Sequence, residues 1–580
     1  MTEKTTINNS EYIIRLLEKE QVGAFFMVPG KLINPLMSRF NKKTSHTYSI
    51  KPIVAAHEAG AAAMADGYAR ASNHIGVCMA IDGPGVVNAI SMLTAAQADR
   101  SPVLLISGQI PMDFQATGAI QDTSESGIST VDMLKPVCKA SITITSTSTL
   151  PRYFRMVLGN MLAPSQGTGY ISIPKDILLA NAAEQPQKLT KSYHNASIID
   201  IQATNKWITT NLSKHDKITI IIGSGCRGEN TYHRLKTFSE KYNIPVATTI
   251  SSKGMFNEEH PNFLGIFGYS GHERAIDNLI KNKSEIIILL GFNATQWTTL
   301  AWHKGFIEHP NFIQVDSDPS SIGQVLQVRE GIVAEPLAFL DHLDTVGATI
   351  LNAGLINRKL WMDTNHASNL VDKLFLRSND NNDTLNFKRK IHPAVIVQQA
   401  REIFPKNTIA VADAGVHRSY VTHYWTTYGY GQFFAATTFA PMGWAVPAGI
   451  GIKIARPTQK VIVFTGDGCM LMSGLEIQTA AKLNLDIIFV VFNNGCYGAS
   501  HFNNIENEPY LTRIPDHNWA TIAGGLGLKS FRVHSNESMK SAYHEALNTP
   551  GPILIDVLCD KEVRAPAAIY AATLKTHAFM

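Results

Sequence analysis

Apolar residues arrive along this chain in two alternating rhythms, short unbroken runs and helix-spaced positions. From about Ser10, Ile13, Ile14 and Leu17 predict a helix, and the run Ala24-Phe25-Phe26-Met27-Val28 that follows ends in Pro29-Gly30. A helix over His57 to Arg70, a strand over Ile75 to Ala80 and a buried strand over Val103 to Ser107 continue the alternation, and the block closes near Ile171-Ser172-Ile173-Pro174. Runs that leave no polar face, separated by helical segments, specify parallel sheets covered on both sides. A polar, aperiodic stretch from Ala182 to about Lys206 reads as a linker. The second block opens with a strand and glycine turn over Lys217 to Gly223, and further strands are predicted at Val246 to Ile250, Ile286 to Gly291 and Phe312 to Asp316. Arg377 to Thr384 (RSNDNNDT) reads as an exposed loop or linker. A third block from near Ile391 has strand candidates at Ile409 to Ala412, Lys460 to Thr465, Asp486 to Phe492 and Ile553 to Val557. The expected architecture is α/β: three doubly wound parallel-sheet domains over residues 1–185, 200–350 and 385–565.

Composition narrows the classes of function. The 580 residues allow three to four domains, and 51 Lys+Arg against 47 Asp+Glu leave a surplus of only +4 with no run of five like charges. A nucleic-acid or membrane-surface partner therefore loses its main argument. The six cysteines are scattered, with no CxxC pair and no metal-ligand spacing, which fits a reducing compartment. The N-terminal residues lack the apolar core of a signal peptide, and no apolar run reaches the ~18 residues of a membrane span. A cytoplasmic protein is expected.

The chemistry concentrates in Lys460 to Gly498 (KVIVFTGDGCMLMSGLEIQTAAKLNLDIIFVVFNNGCYG). One strand delivers Gly466-Asp467-Gly468 at its carboxyl end, and after a 24-residue gap a second delivers Asn493-Asn494. Taken separately, GDG and NN are turn signals. Together, at one edge of a parallel sheet, they place glycines where a backbone can approach an anion, a helix N-terminus that favours phosphate, and hard oxygen ligands of the kind Mg²⁺ prefers. This segment resembles the diphosphate-binding signature of thiamine-diphosphate-dependent enzymes. The resemblance extends over most of the chain and is closest to the acetohydroxyacid (acetolactate) synthase and pyruvate oxidase group, which implies a pyrimidine-binding domain, a central domain and a diphosphate-binding domain in that order.

Carried onto this sequence, the resemblance makes Asp467 and Asn494 side-chain metal ligands with the carbonyl of Cys496 as a third, and gives the amides of Gly468 and Cys469, beside Gly466, to the diphosphate. Asp413 to Trp425 (DAGVHRSYVTHYW) is similar to the segment that meets the diphosphate through a glycine and a histidine, here Gly415 and His417. Ala55 to Arg70 (AAHEAGAAAMADGYAR) resembles the catalytic glutamate helix, so Glu58 would hydrogen-bond N1′ of the cofactor pyrimidine and stabilise the tautomer that removes the C2 proton. The arginine usual before that His-Glu pair is Ala56 here. In Phe439 to Gly451 (FAPMGWAVPAGIG), Met442 would be the wedge beneath the bent cofactor and the carbonyl of Ala440 would accept from its 4′-amino group. The family also implies a homodimer at least, with a homotetramer common.

The reaction is less constrained. Pro111 to Glu125 (PMDFQATGAIQDTSE) contains no histidine pair of the kind that protonates the intermediate in pyruvate-decarboxylase-like relatives, which disfavours simple aldehyde release. It resembles instead the synthase loop with a glutamine near the reacting centre, Gln121, although Ile120 replaces the usual phenylalanine. An amide can hydrogen-bond an incoming carbonyl without acting as an acid. The tryptophan that selects larger 2-oxo acid acceptors is replaced by Asn503, and His501 stands in the same segment. In the central domain, Gly223-Ser224-Gly225 and Val315 to Pro319 resemble the flavin- or ADP-binding places of the group, but Gly291 to Thr299 lacks the arginine turn of flavin-binding synthases, so FAD stays open. The expectation is a thiamine-diphosphate- and Mg²⁺-dependent carboligase of acetolactate-synthase type acting on a 2-oxo acid, pyruvate first. Two alternatives stand beside it: another 2-oxo acid decarboxylase or sulfoacetaldehyde-acetyltransferase-like enzyme, and a catalytically silent regulatory relative.

Overall fold

The computed structural model describes residues 7–40, 47–188, 199–281, 284–365, 390–503, 509–563 and 565–566, so Arg377 to Thr384 lies outside them. Three six-stranded sheets, each parallel throughout, carry the fold. The first contains β1 (Ala24–Met27), β2 (Lys51–Val54), β3 (Gly76–Ile81), β4 (Val103–Gln109), β5 (Ala140–Thr143) and β6 (Gly169–Pro174) in the order β2-β1-β3-β4-β6-β5. The second contains β7 (Ile218–Ile222), β8 (Val246–Thr248), β9 (Phe263–Ile266), β10 (Ile286–Leu290), β11 (Phe312–Asp316) and β12 (Glu330–Val333), ordered β12-β11-β10-β7-β8-β9. The third contains β13 (Ile409–Ala412), β14 (Phe433–Ala435), β15 (Val461–Gly466), β16 (Ile487–Asn493), β17 (Lys529–Val533) and β18 (Ile553–Leu558), ordered β14-β13-β15-β16-β18-β17. The first and third sheets thus share one topology, while the central sheet has the Rossmann order with its switch point between β7 and β10.

The inner strands are the ones the apolar runs announce. β7 (ITIII) and β10 (IIILL) are buried at every position because helices cover both faces of the sheet. Two of the edge strands carry no such run. β12 (EGIV) and β17 (KSFRV) are short and half polar, and the expected strand at Val246 to Ile250 stops at Thr248, where Thr249 begins a capped turn.

Four helices matter for the site. In the first domain α1 (Glu58–Ser72) precedes β3 and α2 (Pro84–Ala98) follows it; in the third, α3 (Ala445–Ala455) precedes β15 and the short α4 (Asp467–Ser473) follows it. Domains one and three are fused through α1 and α3. Their alanine-rich faces belong to one core that joins Ala61 to Ala65 with Ala445, Val446 and Ala448. The backbones touch at glycines: a Cβ on Gly67 would collide with the carbonyl of Ala448, one on Gly451 with that of Met64, and one on Gly60 with the Glu476 carboxylate. Backbone oxygens cannot change rotamer to make room, so Gly67 and Gly451 in particular demand glycine.

Candidate active site

The carboxyl ends of β15 and β16 are hydrogen-bonded neighbours, with Gly466 opposite Phe492. The tips they deliver are therefore adjacent. Asp467 opens α4, and its carboxylate accepts from its neighbour Gly468 N at 3.0 Å and, across the gap, from Gly495 N at 2.7 Å. Gly495 can present that amide because it sits at φ 73°. The Asn494 side chain accepts from Cys496 N at 3.0 Å, which closes the turn. A cavity of about 170 Å³ opens here, and every residue the sequence assigns to the cofactor or metal lines it except Glu58 and Ala440.

The walls explain several residue choices. The His417 ring lies against Gly415 and Gly466, where an added Cβ would stand 2.8 and 3.0 Å from it, so both glycines make room for the imidazole. Burial, helped by Arg418, pushes His417 down to about 3, and the neutral ring leaves its buried Nε2 without a hydrogen-bond partner among the described residues. Such an atom at a cavity wall is unfavourable until a polar ligand meets it. Gly468 is wedged between Tyr497 and Met442, 2.9 and 3.0 Å from where its Cβ would be. The Cys469 thiol donates to Ala414 O at 3.0 Å, and burial raises it well above its ordinary value, so the sulfur is a packing group.

The same cavity suits a divalent cation bound together with a phosphate ligand. Burial pushes the Asp467 carboxyl up to about 6 against the two amides that favour its charge. Among the described residues no group of three or more His, Cys, Asp or Glu could cage an ion. Asp467, Asn494 and Cys496 all line the cavity, and carboxylate, amide and carbonyl oxygens are the hard donors Mg²⁺ uses when ligand phosphates complete its coordination. The Gly468 amide donates to the Asp467 carboxylate, and the Cys469 amide follows it in the first turn of α4.

Glu58 and Gln121 lie elsewhere. His57 caps α1 by accepting Ala59 N at 3.1 Å, and Glu58 in the first turn accepts from Asn88 Nδ2 at 3.0 Å. Asn88 belongs to α2, and a Cβ on Gly85 of that helix would stand 3.2 Å from Glu58 Oε1. Gln121, at φ 63°, approaches the same helix start at Gly83. One chain thus presents two groups of candidate residues, the cavity and a separate glutamate-glutamine face. Ala440 sits outside the cavity at φ 53°, next to the exposed Phe439.

Sequence reasoning missed two buried carboxylates. Asp413 accepts from Gly443 N (3.0 Å) and Trp444 N (3.2 Å) and from Thr465 Oγ1 (3.0 Å), fixing the Met442 loop to the floor of the cavity. Glu476 accepts from Ala56 N at 2.8 Å and Thr479 Oγ1 at 2.7 Å, so a third-domain side chain anchors the turn before Glu58. Both stand inside motifs quoted above, but nothing local marks a carboxylate whose partners are distant amides.

His501 is buried on a neighbouring cavity of about 540 Å³, its Nε2 3.7 Å from Glu562; the Asn503 side chain lies outside the described residues. In the central domain, Gly223 N donates to Leu290 O (3.0 Å) and Gly225 N to Gly291 O (2.9 Å), and a Cβ on either glycine would strike the loop after β10. Asp316 receives Arg100 of the first domain at 3.7 Å, and Trp297 stacks on Tyr269 at 4.5 Å. Gly223 and Gly225 are thus required by close backbone packing against that loop.

The chain is similar to known proteins over nearly all of its length. The N-terminal, central and C-terminal domain profiles of the thiamine pyrophosphate enzymes match residues 7–128, 206–343 and 413–557. The chain is 27% identical to a probable acetolactate synthase large subunit of Methanococcus aeolicus over 96% of its own length and 92% of the relative's. It is also 27% identical to the acetolactate synthase isozyme 1 large subunit of Escherichia coli, over 95% and 94%. In fold it resembles a chain from Mycobacterium smegmatis assigned as a thiamin diphosphate-dependent enzyme, with a TM-score of 0.76, 20% identity and coverage of 95% and 99%. No helix among the described residues is long and apolar enough to cross a membrane. With all three of its domains matched in order, the chain belongs to the thiamine pyrophosphate enzyme family, as an acetolactate-synthase-like enzyme.

Proposed function

We propose that this protein decarboxylates a 2-oxo acid, pyruvate in the first instance, and joins the remaining two-carbon unit to a second carbonyl compound, using thiamine diphosphate and Mg²⁺. The supporting observation is the Asp467–Gly495 link, which sets a buried carboxylate and the Asn494 amide side by side at the mouth of a cavity walled by Met442 and His417. Asp467, Asn494 and the Cys496 carbonyl would hold the metal, and His417 Nε2 and the Cys469 amide would meet the diphosphate. When bound, the cofactor supplies the carbon nucleophile and electron sink that decarboxylation needs. Glu58 would hold a proton at the pyrimidine ring, and Gln121 would orient the incoming carbonyl by hydrogen bonding without giving up a proton.

Glu58 and Gln121 do not line the cavity of their own chain, and the reading therefore includes a homodimer in which each face meets the other copy's cavity. Exposed apolar residues flank both groups: Val87, Ile120 and Ile128 beside the glutamate face, Phe439, Leu471 and Met472 beside the cavity. Clusters of this kind are the usual mark of a subunit contact. All six cysteines are free, which suits the reducing cytoplasm.

Incubating the purified protein with thiamine diphosphate, Mg²⁺ and a panel of 2-oxo acids should release CO2 and yield acetolactate from pyruvate. CO2 with acetaldehyde alone would move the enzyme to the decarboxylases, and calorimetry showing no cofactor binding would leave the silent regulatory role. A visible spectrum recorded first answers the flavin question, since bound FAD colours a protein yellow.

A further inference from the structure

The loop 436–443 carries both Ala440 and Met442, and its two ends are tied down by different domains. Asp413 of the third domain holds the far end at Gly443 and Trp444. The near end is held by Asp99, which follows α2 in the first domain. Asp99 accepts from Thr437 N at 2.8 Å, Thr438 N at 2.9 Å and Thr437 Oγ1 at 3.1 Å. Asp99 is itself fixed. Arg70 Nη1 donates to it at 3.0 Å and to Ala435 O at 3.1 Å, while the rest of that guanidinium makes a bidentate pair with Asp66 at 2.7 and 2.8 Å. Asp66 also accepts from Trp444 Nε1 at 2.8 Å, and Arg418 Nη1 donates to Ala436 O at 2.9 Å.

Asp66, Arg70 and Asp99 are all buried, so these contacts act where water does not compete. Burial works against a charge on Asp99, but the Arg70 and Arg227 guanidiniums outweigh it and hold the carboxyl below its ordinary range. Between the two anchors, Thr438 and Phe439 are exposed and Ala440 takes its left-handed conformation. The tip is therefore held from its two ends, and its height is set by the anchors.

We propose that Asp99 is a positioning residue for the cofactor: by gripping Thr437 and Thr438 it fixes the level at which the Ala440 carbonyl and the Met442 side chain meet the ligand in the same chain. This rests on the thiamine-diphosphate reading of the loop. It gives the first domain two separate tasks, support of the loop within its own chain and presentation of Glu58 elsewhere.

The test is Asp99→Asn, which keeps the size of the side chain but turns an NH2 group toward donors. Hydrogen exchange in the cofactor-free protein should speed up about tenfold in peptides spanning 436–443 and stay unchanged in α3, since an anchoring bond to a charged acceptor is lost. In the loaded enzyme, affinity for thiamine diphosphate should fall about tenfold, and kcat should fall while KM for pyruvate holds. A role confined to stability would lower the melting temperature and leave the affinity and kcat of the folded fraction unchanged, which would overturn the proposal. So would wild-type exchange in 436–443. If Asp99→Asn does not fold, Thr437→Val removes one contact and leaves the Asp66–Arg70–Asp99 cluster intact. It should show the same directions at smaller size, and no change in exchange would again overturn the idea. A wild-type protein that binds no thiamine diphosphate refutes the functional reading itself, an outcome distinct from a variant that behaves as wild type.

Discussion

Glu58→Gln should lower turnover about 10²- to 10⁴-fold, the range that a positioned proton-transfer group contributes, with thiamine diphosphate and Mg²⁺ still bound. The substitution keeps the volume of the side chain, and its amide oxygen can go on accepting from Asn88. The cap at His57 and the Glu476 anchor on Ala56 bind main-chain amides that the change does not touch. What is lost is the negative charge that would hold a proton on the pyrimidine ring. The protein should therefore fold and load normally and fail only in chemistry. Steady-state rates with pyruvate, beside calorimetric titration of the cofactor, make the measurement, and normal turnover would refute the assignment of Glu58.

Asp467→Asn is expected to act at the other group of residues and in the opposite way. Binding of thiamine diphosphate with Mg²⁺ should weaken by ~10²-fold or more, since even the outer partners of metal ligands are worth 10- to 100-fold. The cofactor-free protein should be little affected, because the Asn side-chain oxygen can still receive the Gly495 amide and a buried carboxylate has been removed. Thermal melts separate the two effects. Wild-type protein should gain stability on adding cofactor and metal, as any ligand selective for the folded state requires, whereas the variant should not. Undiminished affinity would show that Asp467 is not a metal ligand.

How far the sequence reaches follows from what each residue contacts. β7, β10, β15 and β16 are central parallel strands, so their burial is written as continuous apolar runs, and the strand-end motifs GDG and NN come with them. β12 and β17 lie at sheet edges and are half polar, because one of their sides is never covered by a neighbouring strand. Gly466 to Cys469 and Asn494 to Cys496 were legible since they lie within a few positions of the ends of β15 and β16, and Gly415 and His417 follow β13 in the same way, whereas Met442 was reached only through the resemblance. Asp99 and Glu476 were not, because each works on backbone amides more than 300 positions away, and a carboxylate in a helix turn looks alike whether it faces water or Thr437. Gly60, Gly67 and Gly451 were visible as glycines, but the atoms they avoid belong to another domain.

Two of those glycines also constrain how the gene can change. Every single-base change in a glycine codon that alters the residue and does not stop the chain adds a Cβ. At Gly67 and Gly451 that carbon meets a peptide oxygen, which no second mutation can trim away, because every amino acid carries the same carbonyl. Compensation is thus closed at these positions, and reversion is the one remedy within the existing helix crossing. Two codons whose residues carry no side chain at all are therefore held fixed, for a reason that lies wholly in the main chain.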